Sequence, residues 1–271
     1  MTDDRRARLL RRARLGLLLV GLYLVLDLVL HAFLFHPSRG EAPPAAIAET
    51  VRYPASDGTV LEGYWVPAEG SSHRAVVVFH GNADTAADGV PWARALAARG
   101  SDVLLAEYRG YGASEGSPSA SGIESDAEGA IRYVLEERGV ARSRLVVQGH
   151  SLGGAAAIAA LAGPANDCAG GILLSTFTSL HDMARAVLGL PLTYLVRDGY
   201  ALDSAARAPT IRAPILHFHG DADEVVPFAL GARLDALLPR SRFVPVPGGS
   251  HDVWNDRITA EVLAFLDEVT P

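Results

Sequence analysis

Lysine is absent from the chain: all 24 of its basic residues are arginines. No P-loop lysine, pyridoxal Schiff base or Ser–Lys dyad can therefore exist in it. Cysteine occurs once, as Cys168. A lone cysteine excludes an intramolecular disulfide, a cysteine-built zinc centre and a Cys-x-x-Cys redox pair. Cys168 stands just before the apolar run Gly171-Ile172-Leu173-Leu174, where a buried structural thiol is expected. Positive charge is also scarce over most of the length. Residues 1–14 carry six arginines against Asp3 and Asp4, a net of +4, so the remainder stands near −11 within a total of −7. An acidic body argues against nucleic acid as a partner. There is no internal repeat, and the only biased stretch is a short one rich in Pro and Ala at 37–47.

The long apolar run is at the N-terminus. Residues 15–35 include ten Leu, three Val and two Phe over 21 positions, the length at which a helix spans a bilayer. Asp27 near the middle costs about 2.5–3.5 kcal/mol on the insertion scale, which the apolar sum outweighs. Asp27 and His31 lie four apart and share a helix face, so they can pair. A cleaved signal peptide is the rival reading, but the nearest small-x-small site, Ala46-Ile47-Ala48, is too far downstream. The expectation is a basic tail at 1–14, an uncleaved single-pass transmembrane helix at 15–35 and a stalk at 36–47. The arginines before the span place the N-terminus in the cytoplasm and the body, 48–271, on the extracytoplasmic side.

The body alternates strands and helices. Val51–Tyr53 and Val60–Val66 form an antiparallel hairpin through Asp57-Gly58. Strands follow at 75–79, 103–106, 145–148, 171–174, 214–218 and 242–246. Helices are expected at 91–99, from a Ser121-x-x-Glu124 capping box to Arg138, after Ser151, up to Leu238, and at 255–269. Such alternation means an α/β fold, a mostly parallel sheet with helices on both faces. Residues 176–212 lack a clear strand and read as a small lid, where apolar residues from Leu188 to Leu195 could line an acyl pocket or pack the lid down.

Chemistry concentrates at Leu145-Val146-Val147-Gln148-Gly149-His150-Ser151-Leu152-Gly153-Gly154, followed by a run of alanines. An apolar strand, a Gly-x-Ser-x-Gly turn and a small-residue helix in immediate succession are the signature of a nucleophilic serine on a strained elbow. Ser151 needs a base, and the base an orienting acid, in the chain order Ser, acid, His. Of nine histidines only His251 lies beyond the candidate acids, in the loop Pro247-Gly248-Gly249-Ser250-His251. His80, His150, His217 and His219, none of which has that placement, read as structural or as supports behind the reacting groups. Asp221 and Asp223 both follow the strand at 214–218 and both qualify as the acid. The oxyanion formed on acyl transfer needs two backbone N–H donors. Leu152 should supply one, and Asn82 or Ala83, after the strand at 75–79, the other. Arg109 is expected in a structural ion pair with Glu107 or another buried acid.

Four blocks resemble the α/β-hydrolase superfamily, in its order: Phe79-His80-Gly81-Asn82-Ala83, Tyr108-Arg109-Gly110-Tyr111-Gly112-Ala113-Ser114-Glu115-Gly116, Gly149-His150-Ser151-Leu152-Gly153-Gly154, and His219-Gly220 through Asp223 to Val226-Pro227. More narrowly, they are similar to a membrane-anchored serine-hydrolase branch that groups with serine-aminopeptidase and monoacylglycerol-lipase-like proteins. The stretch Phe35-His36-Pro37 after the apolar run is similar as well. One departure is Glu107, where the family usually has Asp. The resemblance implies an α/β-hydrolase fold with an eight-stranded sheet and selects Asp223 as the acid. It implies a serine hydrolase of carboxylic esters or thioesters, working on a small-molecule acyl substrate or a lipid without metal or organic cofactor. A peptidase, or a non-catalytic binding protein on the same fold, would be the alternatives.

Overall fold

Continuous apolar strands, buried along nearly their whole length, assemble here into one sheet covered on both faces. The computed structural model describes residues 3–189 and 202–271, with backbone alone at 3–10, 26–33 and 187–188. The strands are β1 (Glu49–Pro54), β2 (Val60–Val66), β3 (Arg74–Phe79), β4 (Ser101–Ala106), β5 (Leu145–His150), β6 (Gly170–Leu174), β7 (Ile215–Gly220) and β8 (Ser241–Val246). Among the described residues they form a single eight-stranded sheet in the order β1-β2-β4-β3-β5-β6-β7-β8. β1 pairs antiparallel with β2, as expected of the hairpin, and β2 antiparallel with β4. All other pairings are parallel.

The helices are α1 (Asp3–Leu34), α2 (Val90–Ala97), α3 (Ala120–Arg132), α4 (Leu152–Ala162), α5 (Leu180–Leu188), α6 (Ser204–Arg207), α7 (Phe228–Asp235) and α8 (Asp256–Val269). Strand residues alternate between two apolar clusters. Ala75, Val77 and Phe79 of β3 join the cluster with α3, α4 and α7, whereas Val76 joins the one with α2 and α8. Burying each such Val, Leu or Phe contributes about 1.5–3 kcal/mol, which holds the sheet edge rigid beneath the loops. Cys168 is buried and free, and burial pushes its thiol up to about 12.

One expectation is corrected. α3 is capped by Ser119, whose Oγ accepts the Gly122 N–H, two residues before the Ser121 of the supposed capping box. The reason is Glu124, which reaches away to accept from Arg207 Nη2 at 2.7 Å and from the Leu202 N–H at 2.6 Å. The expected transmembrane helix falls within α1. Residues 15–34 are helical, but as part of the 32-residue α1, which starts among arginines. Among the described residues no helix is long and apolar enough to cross a membrane. The side chains described in α1 run from 11 to 25 and begin with Arg11, Arg12 and Arg14. The rest of the expected span, 26–33, lies outside the residues described with side chains, as residues 190–201 of the expected lid lie outside the described residues altogether. Residues Leu15 to Val25 include nine large apolar side chains that are exposed.

Candidate active site

The end of β5 turns abruptly into α4 at Ser151. Its backbone stands at φ 55 and ψ −116, a left-handed conformation rare outside glycine that costs on the order of 1–3 kcal/mol. Surrounding bonds hold it there. The Ser151 N–H donates to Leu174 O at 2.9 Å, and the Ser151 carbonyl accepts from Gly154 N at 3.0 Å and Thr176 Oγ1 at 2.9 Å. The two flanking glycines are sterically required. A Cβ on Gly149 would lie 2.0 Å from Gly153 O, and one on Gly153 would lie 2.2 Å from Phe79 O. Ser151 is 8% exposed, and none of the described residues hydrogen-bonds its Oγ.

The loops after β7 and β8 bring up the other two side chains. They are laced together: Ala222 N donates to Gly249 O at 3.0 Å, and Gly248 N donates to Asp221 Oδ1 at 2.6 Å. Asp221, the other candidate acid, is thus spent on a loop contact. Asp223 is the carboxylate that meets the histidine. His251 Nδ1 lies 2.9 Å from Asp223 Oδ2 and 3.1 Å from Oδ1. Since a carboxylate only accepts, Nδ1 carries the proton and Nε2 of the neutral ring is left as a base.

Asp223 has further partners. Its Oδ1 accepts from Val225 N at 2.9 Å and Val226 N at 2.8 Å. The fully buried His219 Nε2 is 3.3 Å from Oδ2 and 3.0 Å from Val226 O. Both neighbours accept, so that nitrogen is protonated, and His219 Nδ1 has no partner among the described residues. Burial alone would raise the Asp223 carboxyl. The bonds from His219, His251 and Val226 outweigh it and hold the group well below the usual carboxylate range. The side chain of Asp223 is 0% exposed, which makes its full hydrogen-bonding a structural necessity.

His150 joins the serine to the histidine loop. Its Nε2 donates to His251 O at 3.2 Å and its ring lies 4.9 Å from the His251 ring. Burial, then the neighbouring His251, lower its pKa. On the oxyanion side, the N–H groups of Leu152, Asn82 and Ala83 make no hydrogen bond to any described residue. His80 anchors their loop: Nε2 is 2.5 Å from the buried Glu107 Oε1, Nδ1 is 2.7 Å from Gly81 O, and its carbonyl accepts from Tyr108 Oη at 2.9 Å. The Asn82 side chain, by contrast, is fully engaged, with Oδ1 accepting from Tyr111 Oη at 2.8 Å. Arg109 pairs with the buried Asp126 and with Asp57, each at 2.8 Å, and not with Glu107.

Beside this edge, on the face of α2 and α8, a cavity of about 660 Å³ is walled by Trp92 and Trp254 and bordered by Asp84, Asp88, Asp252 and His150. Sequence reasoning missed this cavity and the Glu107–His80 contact, because they join residues of ordinary spacing that only the crossing of strands makes neighbours.

Residues 70–198 match the family described as "Serine aminopeptidase, S33". The uncharacterized protein YfhR of Salmonella typhimurium is 35% identical over 260 residues, 90% of this chain and 88% of its own length. The α/β hydrolase domain-containing protein WAV2 of Arabidopsis thaliana is 34% identical over 190 residues, 63% of this chain and 62% of its own. The chain belongs to the α/β-hydrolase superfamily. Among solved structures, an esterase of Pyrococcus furiosus superposes with a TM-score of 0.71 at 19% identity, over 88% of this chain and 98% of its own. That likeness is one of fold.

Proposed function

We propose that this α/β hydrolase is a serine hydrolase of carboxylic ester or thioester bonds in acyl substrates, working through Ser151, His251 and Asp223. The observation that carries the reading is the His251–Asp223 contact on the sheet edge that also holds Ser151 in its left-handed turn. Ser151 Oγ attacks the acyl carbonyl while His251 Nε2 takes its proton, and Asp223 keeps the ring in the tautomer that allows this. The tetrahedral oxyanion is received by the N–H of Leu152 and that of Asn82 or Ala83, a pair of donors that costs nothing to align once the elbow and loop are folded. His251 then protonates the leaving alcohol or thiol, and water, activated by the same nitrogen, releases the acyl group from Ser151.

A fluorophosphonate probe tests this, since it labels only an activated serine. Wild type should be labelled and Ser151→Ala should not. A folded wild type that stays unlabelled would sink the reading. A second reading, a serine peptidase recognising a free amine, is favoured by the cavity beside the site. Its tryptophan faces and three aspartates suit a cation. Turnover of p-nitrophenyl esters of rising chain length, set against amino-acid anilides, separates the two.

A further inference from the structure

The loop that carries Asn82 and Ala83 has almost no backbone bonds of its own. Between the end of β3 and residue 85 its only internal one is the long contact from Asp84 N to Gly81 O at 3.4 Å. Its shape must come from neighbours, and on one side the neighbour is the segment that follows α1. Leu34 O accepts from Asn82 Nδ2 at 2.8 Å. His36 N donates to Asn82 Oδ1 at 3.2 Å, and His36 Nδ1 accepts from Asn82 Nδ2 at 3.0 Å. With Tyr111 Oη on Oδ1, both donors and both acceptor sites of the amide are used. One loop residue further on, Ser38 Oγ donates to Ala83 O at 2.9 Å, and Ser38 O accepts from Gly112 N at 2.9 Å. Phe35 between them is 5% exposed and lies in the cluster with α3 and α4.

The end of the expected span and the start of the expected stalk are therefore clamped to the body at the very loop whose N–H groups point at the reacting carbonyl in the reading above. We propose that residues 34–38 are a positioning element of the oxyanion hole: His36 and Ser38 fix Asn82 and Ala83, Phe35 pins the segment, and the position of α1 is thereby transmitted to the catalytic site. The proposal rests on the serine-hydrolase reading. A donor must sit within about 0.5 Å of its productive place, and the hydrogen bonds of the segment are what hold this one there. Because Asn82 is bound through its side chain while its N–H stays open, the segment sets the direction of the donor without occupying it.

The test uses the full chain with p-nitrophenyl butyrate, and active sites counted by fluorophosphonate titration. Ser38→Ala and His36→Phe should each lower kcat per titrated site about ten-fold at unchanged KM, less than the hundred-fold of a 1 Å misplacement. His36→Asn, which restores an acceptor, should recover most of the loss. Combining His36→Phe with Asn82→Ala should cost no more than Asn82→Ala alone, because both break one unit. A merely structural segment would lower the melting temperature and the fraction of active sites while leaving kcat per site within two-fold, and that result would overturn the proposal, as would losses that add fully. If His36→Phe does not fold, Ser38→Ala, which removes one hydroxyl, decides. A folded wild type without turnover or labelling overturns the hydrolase reading and this proposal together. Turnover that vanishes in Ser151→Ala but is unmoved in the segment variants overturns this proposal alone.

Discussion

Asp223 accepts from two histidines and two backbone N–H groups with its side chain out of water. Its ionised form is the one the fold binds, and two consequences follow. Asp223→Asn keeps the shape but presents an amide in place of a full acceptor, so His251 loses the tautomer that frees Nε2. Turnover of an ester should fall about 10³–10⁴-fold with a small change in KM, measured by steady-state kinetics. The second consequence is in stability. A carboxyl held below its unfolded value adds stability that is complete above the unfolded range, near 3.9, and is lost as pH falls through the folded value. The urea-midpoint difference between wild type and Asp223→Asn should therefore be constant above about pH 5 and shrink toward pH 2. A difference that grows on acidification would contradict the assignment.

At the scale of elements, the strand–elbow–helix unit is a matter of clearance. β5, Ser151 and α4 reach their close approach only because Gly149 and Gly153 carry no side chain. Gly153→Ala would drive a methyl to 2.2 Å from the carbonyl of Phe79, a backbone atom of β3 that cannot rotate away. Overpacking of this kind costs about 1–3 kcal/mol, which for a chain of this size is roughly 2–10 °C of melting temperature. Since Phe79 leads into the oxyanion loop, fluorophosphonate labelling should slow as well. Scanning calorimetry and labelling kinetics on the same sample check both. The elbow was legible in the sequence because each of its parts is local: an apolar strand, two glycines at fixed spacing and a helix-forming run. The cap of α3 was misplaced for the opposite reason. Glu124 satisfied a local pattern with Ser121, yet a partner 83 residues away, Arg207, claimed it.

For the whole molecule, closure depends on bonds between distant parts of the chain. Arg74, at the start of β3 and 5% exposed, donates from Nε to Ser101 Oγ at 3.0 Å and from Nη1 to Thr270 Oγ1 at 3.0 Å, and it pairs with Asp267 Oδ1 at 2.7 Å. It ties a central strand and β4 to the end of α8. Arg74→Ala should cost about 1.5–3 kcal/mol, seen as a lower urea midpoint, while turnover per labelled site stays near wild type. An unchanged midpoint would show that the tie is ornamental.

The serine, the histidine, the alternation of the sheet and the need for an acid after β7 could all be read from residues alone, because strand period, turn chemistry and the spacing of glycines act within a few positions. Family likeness then chose Asp223 over Asp221. What only the tertiary structure decided are contacts across long stretches of chain: Asp221 on Gly248, His219 under Asp223, Glu107 against His80, and residues 34–38 against Asn82. No periodicity records such pairs, since a hydrogen bond between residues 46 apart depends on where the strands cross. The elbow with which the site begins is a local object. The surroundings that orient its partners are a product of the folded sheet.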